Sequence, residues 1–208
     1  MSSSAVMLGG MSDASHTRSE PSRDRPPGGW PVALRQLDLR LFERLGAGYD
    51  AHPAWLPLAL LTSRWSWAPM LALLLFMAHD STDGWKTVTA CLLTAALAQW
   101  GAKRLARYWR VHRPFTQGLS PNHLGHSLRC GFPSTHAVVM GFVTAFMATG
   151  LPEPVMVTAL ALLTAVTGWA RVHAGAHFPL DVLAGWAMGA AAGLMAALGL
   201  IGLGLLPG

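Results

Sequence analysis

The carboxyl-terminal part of the chain contains no charged side chain between Val182 and Gly208. About 20 apolar residues are enough for a helix to cross the hydrocarbon core of a bilayer, so this run is long enough to span it. The whole chain agrees, because 52% of its 208 residues are apolar and 12% are charged. A soluble domain carries about 25% charged residues. The sequence therefore predicts an all-α integral-membrane protein.

Five stretches are apolar enough to be membrane-spanning helices. Arg64 and Pro69 make the first of them the least regular. The connection between the third and fourth, Pro152-Glu153-Pro154, is short, so these two helices are expected to be antiparallel neighbours. We predict a helical bundle with spans at about residues 55–79, 85–102, 135–150, 154–170 and 179–206.

Two segments precede this bundle. Residues 1–29 are rich in Ser, Gly, Pro and paired charges, which is typical of a disordered tail. Residues 31–47 interleave leucines with charged side chains, so they are too charged to span but suit an amphipathic helix lying in the membrane interface. We therefore predict one membrane domain, residues 30–208, whose spanning bundle occupies residues 55–206.

A long polar loop, roughly residues 107–132, separates the second and third predicted spans. Six of the nine Lys and Arg that follow residue 50 lie between Lys103 and Arg129, where there is no acid. Such charge either anchors a loop to anionic lipids or the cytoplasmic side, or binds an anionic substrate. Nucleic acid is not an expected partner, because spanning segments flank these charges closely. Membrane lipids are expected partners.

Five crossings bring the polar motifs together. The end of the second span, the start of the third, the end of the fourth and the start of the fifth would share one membrane face. Ser134 opens the third span as a favourable N-cap, and the backbone N–H groups after it form an anion site favoured by the helix dipole. Simple capping is the alternative. His136 is then either an interfacial polar residue or an acid/base group beside the anion.

The same face receives Arg171, His177 and Asp181. A guanidinium at Arg171 can hold phosphate oxygens in a bidentate manner. Asp181 follows His177 by four residues, so it can accept the Nδ1–H and leave Nε2 as a nucleophile. A capping hydrogen bond is the alternative reading of this pair, although a carboxylate in a spanning helix is usually functional.

A zinc site is a second alternative, because His173 and His177 have the spacing of helical metal ligands. Gly175 and Pro179 argue against a continuous helix there. Further histidines could in principle complete a metal site: His112, His123 and His126. We predict no metal.

Three segments in order resemble the tripartite signature of the type 2 phosphatidic acid phosphatase superfamily. They are Arg113-Pro114, Pro133-Ser134-Thr135-His136, and the stretch from Arg171 through His177 to Asp181. The resemblance covers roughly residues 55–190. The longer strings around the first and third segments are similar to the bacterial members. The interfacial helix and the loop at residues 118–131 resemble undecaprenyl-diphosphate phosphatases.

This resemblance implies a division of roles. His177 would attack phosphorus and form a phosphohistidine, Asp181 would orient it, and His136 would protonate the leaving oxygen. The phosphate oxygens would be bound by Arg113, Ser134, Thr135 and Arg171. No metal or organic cofactor is implied, because the basic residues neutralise the phosphoryl group.

The chain departs from the family pattern at three positions. Where the family's first motif has a lysine this chain has Ala106, and we expect Lys103 to substitute for it as a phosphate-binding residue. Thr135 stands where the second motif usually has glycine, and Ala170 where the third usually has serine. The residues expected to carry the chemistry are all present.

The expected function is hydrolysis of a lipid phosphate or diphosphate, foremost undecaprenyl diphosphate to the monophosphate. Phosphatidylglycerophosphate, phosphatidate and lipid A are alternative substrates. Phosphotransfer to another acceptor is an alternative reaction, and an inactive transporter or membrane scaffold is an alternative of another class. A vanadate-dependent oxidase would bind its anion in a similar site, but the membrane-spanning character argues against it.

We expect a multi-pass protein of the bacterial inner membrane with its active site facing the periplasm, although the positive-inside rule favours the opposite orientation.

Overall fold

The computed structural model describes residues 31–50, 52, 54–109, 111–125 and 131–207, and the predicted disordered tail lies outside this part. All regular structure in the described part is helical, as predicted. A short 3₁₀ helix, Pro114–Gln117, lies in the long loop. The α-helices are α1 (Val32–Leu45), α2 (Trp55–Trp65), α3 (Trp67–Asp80), α4 (Gly84–Trp109), α5 (Thr135–Gly150), α6 (Pro154–His173) and α7 (Pro179–Gly202).

Two of the described helices, α6 and α7, are long and apolar enough to cross a membrane. Taken together, α2 and α3 are also long and apolar enough to cross a membrane, although the two helices meet at an angle of 50°. α5 is apolar but has only 16 residues. The described part of the chain thus has two or three candidate spans by length and composition.

The first two predicted spans differ from the helices observed. The stretch at residues 55–79 is broken at Ser66, which ends α2 and begins α3. The second predicted span ends at residue 102, whereas α4 continues to Trp109. Lys and Arg favour helical conformation, so an exposed charged segment extends the helix where apolar character stops. Lys103 and Arg107 are therefore helical.

α5 is the central helix of the bundle, packed against α4, α6 and most extensively α7. Its apolar side chains are buried on nearly every face. Phe142, Val143, Phe146 and Met147 form the middle of the main core cluster. A helix enclosed in this way is apolar all round, as this one is.

Glycines on α7 allow its backbone to approach α5 closely. A Cβ placed on Gly185 would lie 2.8 Å from the carbonyl oxygen of Ser134 and 2.7 Å from the Cβ of Ala137. Gly189 and Gly193, one and two turns further on, lie even more tightly against the α5 backbone. Small residues at such spacing are typical of close helix contacts in membranes.

The two ends of this helix pair differ in character. At the end of α5, the backbone of Gly150 lies beside Thr87 of α4 and Leu206 beyond α7. At the start of α5, the Ser134 N–H donates to the carbonyl oxygen of Asp181, 3.1 Å away. The predicted convergence of polar motifs lies at this second end.

Candidate active site

His177 lies at the centre of the polar cluster, in the turn that joins α6 to α7. The turn is possible because Gly175 adopts φ of 70°, a left-handed conformation that side chains disfavour. Only 2% of His177 is exposed. A histidine buried this deeply must be held by polar partners.

Two guanidinium groups meet the Nε2 atom of His177. Arg113 Nη1 lies 3.2 Å from it and Arg171 Nη2 lies 3.5 Å from it. Arginine can only donate hydrogen bonds, so Nε2 must be the acceptor. The proton of the neutral ring therefore sits on Nδ1, and the Nε2 lone pair points toward the two cations.

The other ring nitrogen faces Asp181. His177 Nδ1 and Asp181 Oδ2 are 3.8 Å apart, beyond hydrogen-bonding distance. The same oxygen accepts the backbone N–H of Phe178 at 2.9 Å. The capping reading of this pair is thus observed, whereas the hydrogen bond from Nδ1 to Asp181 is not formed at this distance and stays a prediction.

The two arginines are anchored by different parts of the chain. Arg113 follows α4, and its Nη1 also donates to the carbonyl oxygen of Ala176 at 2.9 Å. Arg171 is in the last turn of α6 and is 3% exposed. Two guanidinium groups with one adjacent carboxylate, Asp181, leave the cluster net positive. It is suited to an anion of more than one charge.

The first turn of α5 borders this cluster. Ser134 is fully buried and makes no side-chain capping bond. Its Oγ has no hydrogen-bond partner among the described residues. A buried hydroxyl without a partner is unfavourable unless a ligand or water completes it. Thr135 is half-buried and His136 is exposed on the same turn, so the imidazole can be reached from outside.

The hydrogen bond described for Lys103 lies within α4. This lysine lies on the exposed side of α4, and its Nζ donates to Gln99 Oε1 one turn earlier at 3.3 Å. Lys103 as the substitute for the first-motif lysine stays a prediction.

The zinc alternative is not favoured by the position of His173. Its Nδ1 contacts the carbonyl oxygen of Leu45 at 2.8 Å, and its ring stacks on Trp169 with centroids 5.1 Å apart. Among the residues that the structure describes, which exclude His126, no three His, Cys, Asp or Glu side chains are grouped as metal ligands.

Two residues at the site were missed from the sequence. A Cβ on Gly131 would lie 3.0 Å from Arg113 Cγ, 3.4 Å from Asp181 Oδ2 and 3.7 Å from His177 Nδ1. The sequence signal for this close approach was the glycine itself, directly before the Phe132-Pro133-Ser134 segment. Asp38 on α1 accepts the Leu180 N–H at 2.9 Å, and no local pattern marks it for that role.

This arrangement agrees with a match to a family model. Residues 87–200 match the PAP2 superfamily. The chain belongs to the PAP2 superfamily. The matched region includes all of α5 and α6, nearly all of α4 and α7, and every predicted site residue. The prediction of a membrane lipid phosphatase of this superfamily is confirmed.

Two curated relatives are similar in sequence. "Putative undecaprenyl-diphosphatase YbjG" of Escherichia coli (strain K12) is 28% identical over 160 residues, 73% of this chain and 77% of that protein. The undecaprenyl-diphosphatase of Sulfolobus acidocaldarius is 30% identical over 129 residues, 59% of this chain and 58% of that protein.

Two crystal structures share the fold. Aquifex aeolicus LpxE superposes with a TM-score of 0.62 at 23% identity, covering 77% of this chain and 94% of that one. A transmembrane PAP2-type phosphatidylglycerolphosphate phosphatase from Bacillus subtilis gives a TM-score of 0.58 at 19% identity, covering 84% and 87%. The helical arrangement is therefore that of membrane PAP2 proteins.

Proposed function

We propose that this PAP2 protein hydrolyses undecaprenyl diphosphate to the monophosphate through a phosphohistidine at His177. The observation that carries the proposal is the meeting of Arg113 and Arg171 at the Nε2 atom of His177. A nucleophile between two guanidinium groups is placed where a phosphoryl group would be bound and attacked. The names of both curated relatives support the substrate.

In the first step, the Nε2 lone pair attacks the terminal phosphorus and the bond from phosphorus to the bridging oxygen breaks. Arg113 and Arg171 stabilise the charge on the equatorial oxygens. The leaving lipid monophosphate takes a proton from His136, which suits a general-acid role from its exposed place on the first turn of α5. The imidazole becomes cationic, and Asp181, facing Nδ1, stabilises that charge.

In the second step, water attacks the phosphohistidine and inorganic phosphate leaves. His136, now neutral, accepts the proton of the water, and His177 returns to its starting state. The buried Ser134 Oγ and the first backbone N–H groups of α5 would bind phosphate oxygens in both steps, with Thr135 beside them. This also gives the Ser134 hydroxyl a hydrogen-bond partner.

We further propose five crossings, with the bent pair α2 and α3 counted as one and α4, α5, α6 and α7 as the others. α1 would lie in the membrane interface, with its exposed Val32, Leu34 and Leu37 toward lipid. The active site would face the periplasm of a bacterial inner membrane. Reporter fusions at the carboxyl terminus test this, since five crossings place that end on the opposite, cytoplasmic side.

The experiment that tests the function measures phosphate release from undecaprenyl diphosphate by the purified protein in the presence of a metal chelator. Wild type is expected to be active, and His177→Ala and His136→Ala are each expected to abolish release. His79→Ala is a matched control, because this histidine is exposed at the other end of the bundle, in the last turn of α3. Full activity in His177→Ala would contradict the mechanism.

A substrate panel tests the finer assignment. Undecaprenyl diphosphate is expected to be hydrolysed with a higher kcat/KM than phosphatidate, phosphatidylglycerophosphate or lipid A. Label from a radiolabelled terminal phosphate should appear as inorganic phosphate. Label on an added lipid or sugar acceptor would instead indicate phosphotransfer.

A further inference from the structure

The amino-terminal helix α1 packs against the start of α7, directly behind the proposed nucleophile. The rings of Phe42 and Phe178 meet edge to face, with centroids 5.4 Å apart and an interplanar angle of 64°. One turn earlier on α1, Asp38 Oδ1 accepts the backbone N–H of Leu180 at 2.9 Å. Residues 142 positions apart are thus joined at the first turn of the helix that carries Asp181.

The first N–H groups of a helix have no acceptor within it. In α7 these groups are shared between two carboxylates. Asp181 takes the Phe178 N–H, Pro179 has none, and Asp38 takes the Leu180 N–H. The positive end of the helix dipole favours both acids. The start of α7 is therefore fixed by side chains, whereas Ser134 at the start of α5 makes no capping bond.

A cleft of about 40 Å³ is lined by both carboxylates and is large enough for water. Its charged lining groups are Arg35 and Asp38 from α1 and Asp181 from α7. Asp38 therefore lies close to Asp181. Its hydrogen bond is to the backbone of α7, so it is placed to act through that helix.

We infer that Asp38 is a positioning residue, whose hydrogen bond to Leu180 holds the first turn of α7 so that Asp181 stays aligned with His177 Nδ1. Only the expected effect on kcat rests on the proposed function; the hydrogen bond from Leu180 to Asp38 does not depend on it. Loss of the bond would loosen the first turn of α7, and Asp181 would no longer be held opposite Nδ1, where it stabilises the imidazolium formed during the reaction. The effect should fall on kcat, because the hydrogen bond of Asp38 is to the backbone of α7 and not to the residues proposed to bind phosphate.

The kinetic experiment compares Asp38→Ala, Asp38→Asn and a control on the same helix. Asparagine retains an oxygen that accepts the Leu180 N–H, whereas alanine removes it. The control is Glu43→Ala, an exposed acid of α1. Asp38→Ala should lower kcat about tenfold with KM within about twofold, while Asp38→Asn stays near wild type. Asp38→Ala equal to Glu43→Ala, or Asp38→Asn as low as Asp38→Ala, would overturn the inference.

A second readout does not depend on turnover. The ¹⁵Nδ1 signal of His177, assigned by its loss in His177→Asn, reports the surroundings of that nitrogen in detergent micelles. Wild type and Asp38→Asn should share one Nδ1 chemical shift, whereas Asp38→Ala should shift or broaden the signal because Asp181 is no longer held opposite it. An unchanged Nδ1 signal in Asp38→Ala would overturn the positioning role. Absence of wild-type hydrolysis would contradict the proposed function alone, and the Nδ1 signal would then decide on Asp38.

Discussion

Replacing Gly185 by alanine tests whether the contact between α5 and α7 sets the geometry of the site. The added Cβ would lie 2.7 Å from the Cβ of Ala137 and 2.8 Å from the carbonyl oxygen of Ser134. Ordinary contacts between carbon atoms are about 3.5–4.0 Å and those from carbon to a carbonyl oxygen about 3.3–3.6 Å. The start of α5 must therefore move by roughly 0.5–1 Å.

This movement should affect activity more than stability. Overpacking costs about 1–3 kcal/mol, and replacing a helical glycine by alanine returns about 0.5–1 kcal/mol. The net loss of stability should therefore be at most about 2.5 kcal/mol. Displacing Ser134 and His136 from His177 by up to about 1 Å should lower kcat up to about 100-fold.

The assay is phosphate release together with thermal unfolding of the detergent-purified protein. Gly199→Ala is the matched control on the same helix, since a Cβ at this position would meet nothing within 4 Å. It should keep wild-type activity and unfold at the same or a slightly higher temperature. If Gly185→Ala and Gly199→Ala have equal kcat, the close contact does not set the site and the reasoning fails.

Three further substitutions probe the surroundings of His177. In Gly131→Ala the new Cβ would press on Arg113 Cγ at 3.0 Å and Asp181 Oδ2 at 3.4 Å, so kcat should fall about tenfold with little change in unfolding temperature. Unchanged phosphate release would show that this approach is unimportant. Arg171→Lys removes the planar donor beside Nε2 and should lower kcat about 100-fold. Equal rates for lysine and arginine would show that charge alone suffices. Burial raises the pKa of the Asp38 carboxyl from 3.8 to about 6, although the Leu180 N–H opposes this. Ionisation of this carboxyl in the folded protein is therefore unfavourable, so the wild type loses stability as the pH rises from about 4 to about 6. Asparagine does not titrate. The unfolding temperature of Asp38→Asn should therefore rise relative to that of the wild type between about pH 4 and pH 7. A difference that does not change with pH would contradict this.

Local signals in the sequence predicted the helices that matter for the site. Ser134 as N-cap and the short connection before Pro154 gave the observed bounds of α5, Thr135–Gly150. Pro179 marked the start of α7 correctly. These signals succeed because N-cap and proline preferences depend on a few adjacent residues, although Ser134 makes no side-chain capping bond.

Breaks and extensions of helices were harder to predict. The bend at Ser66 lies three residues before Pro69, which has no N–H to donate to the carbonyl of Trp65 and whose ring crowds that carbonyl. Pro69 marked the stretch as irregular but did not show where the helix would break. α4 continues to Trp109 through a charged segment. Hydropathy reports the apolar part of a helix, not its full length. The predicted span therefore ends before the helix does.

Contacts between distant segments could not be predicted from local patterns. Arg113 and His177 were identified as site residues, but the convergence of both arginines on Nε2 depends on how three helix ends pack. Asp38 reads as one charge of an amphipathic helix, since its partner Leu180 lies far along the chain. The sequence identifies the groups, and the packing of α1, α6 and α7 determines their roles.

The central claim is that His177 Nε2 attacks phosphorus, and trapping the intermediate tests it most directly. Wild-type protein is mixed with undecaprenyl diphosphate carrying ³²P in its terminal phosphate, quenched in alkali within one turnover, and mapped by peptide. The account predicts acid-labile label on His177 and none in His177→Ala, with Glu43→Ala labelled like wild type. Label on a different residue, or full turnover by His177→Ala, would contradict it.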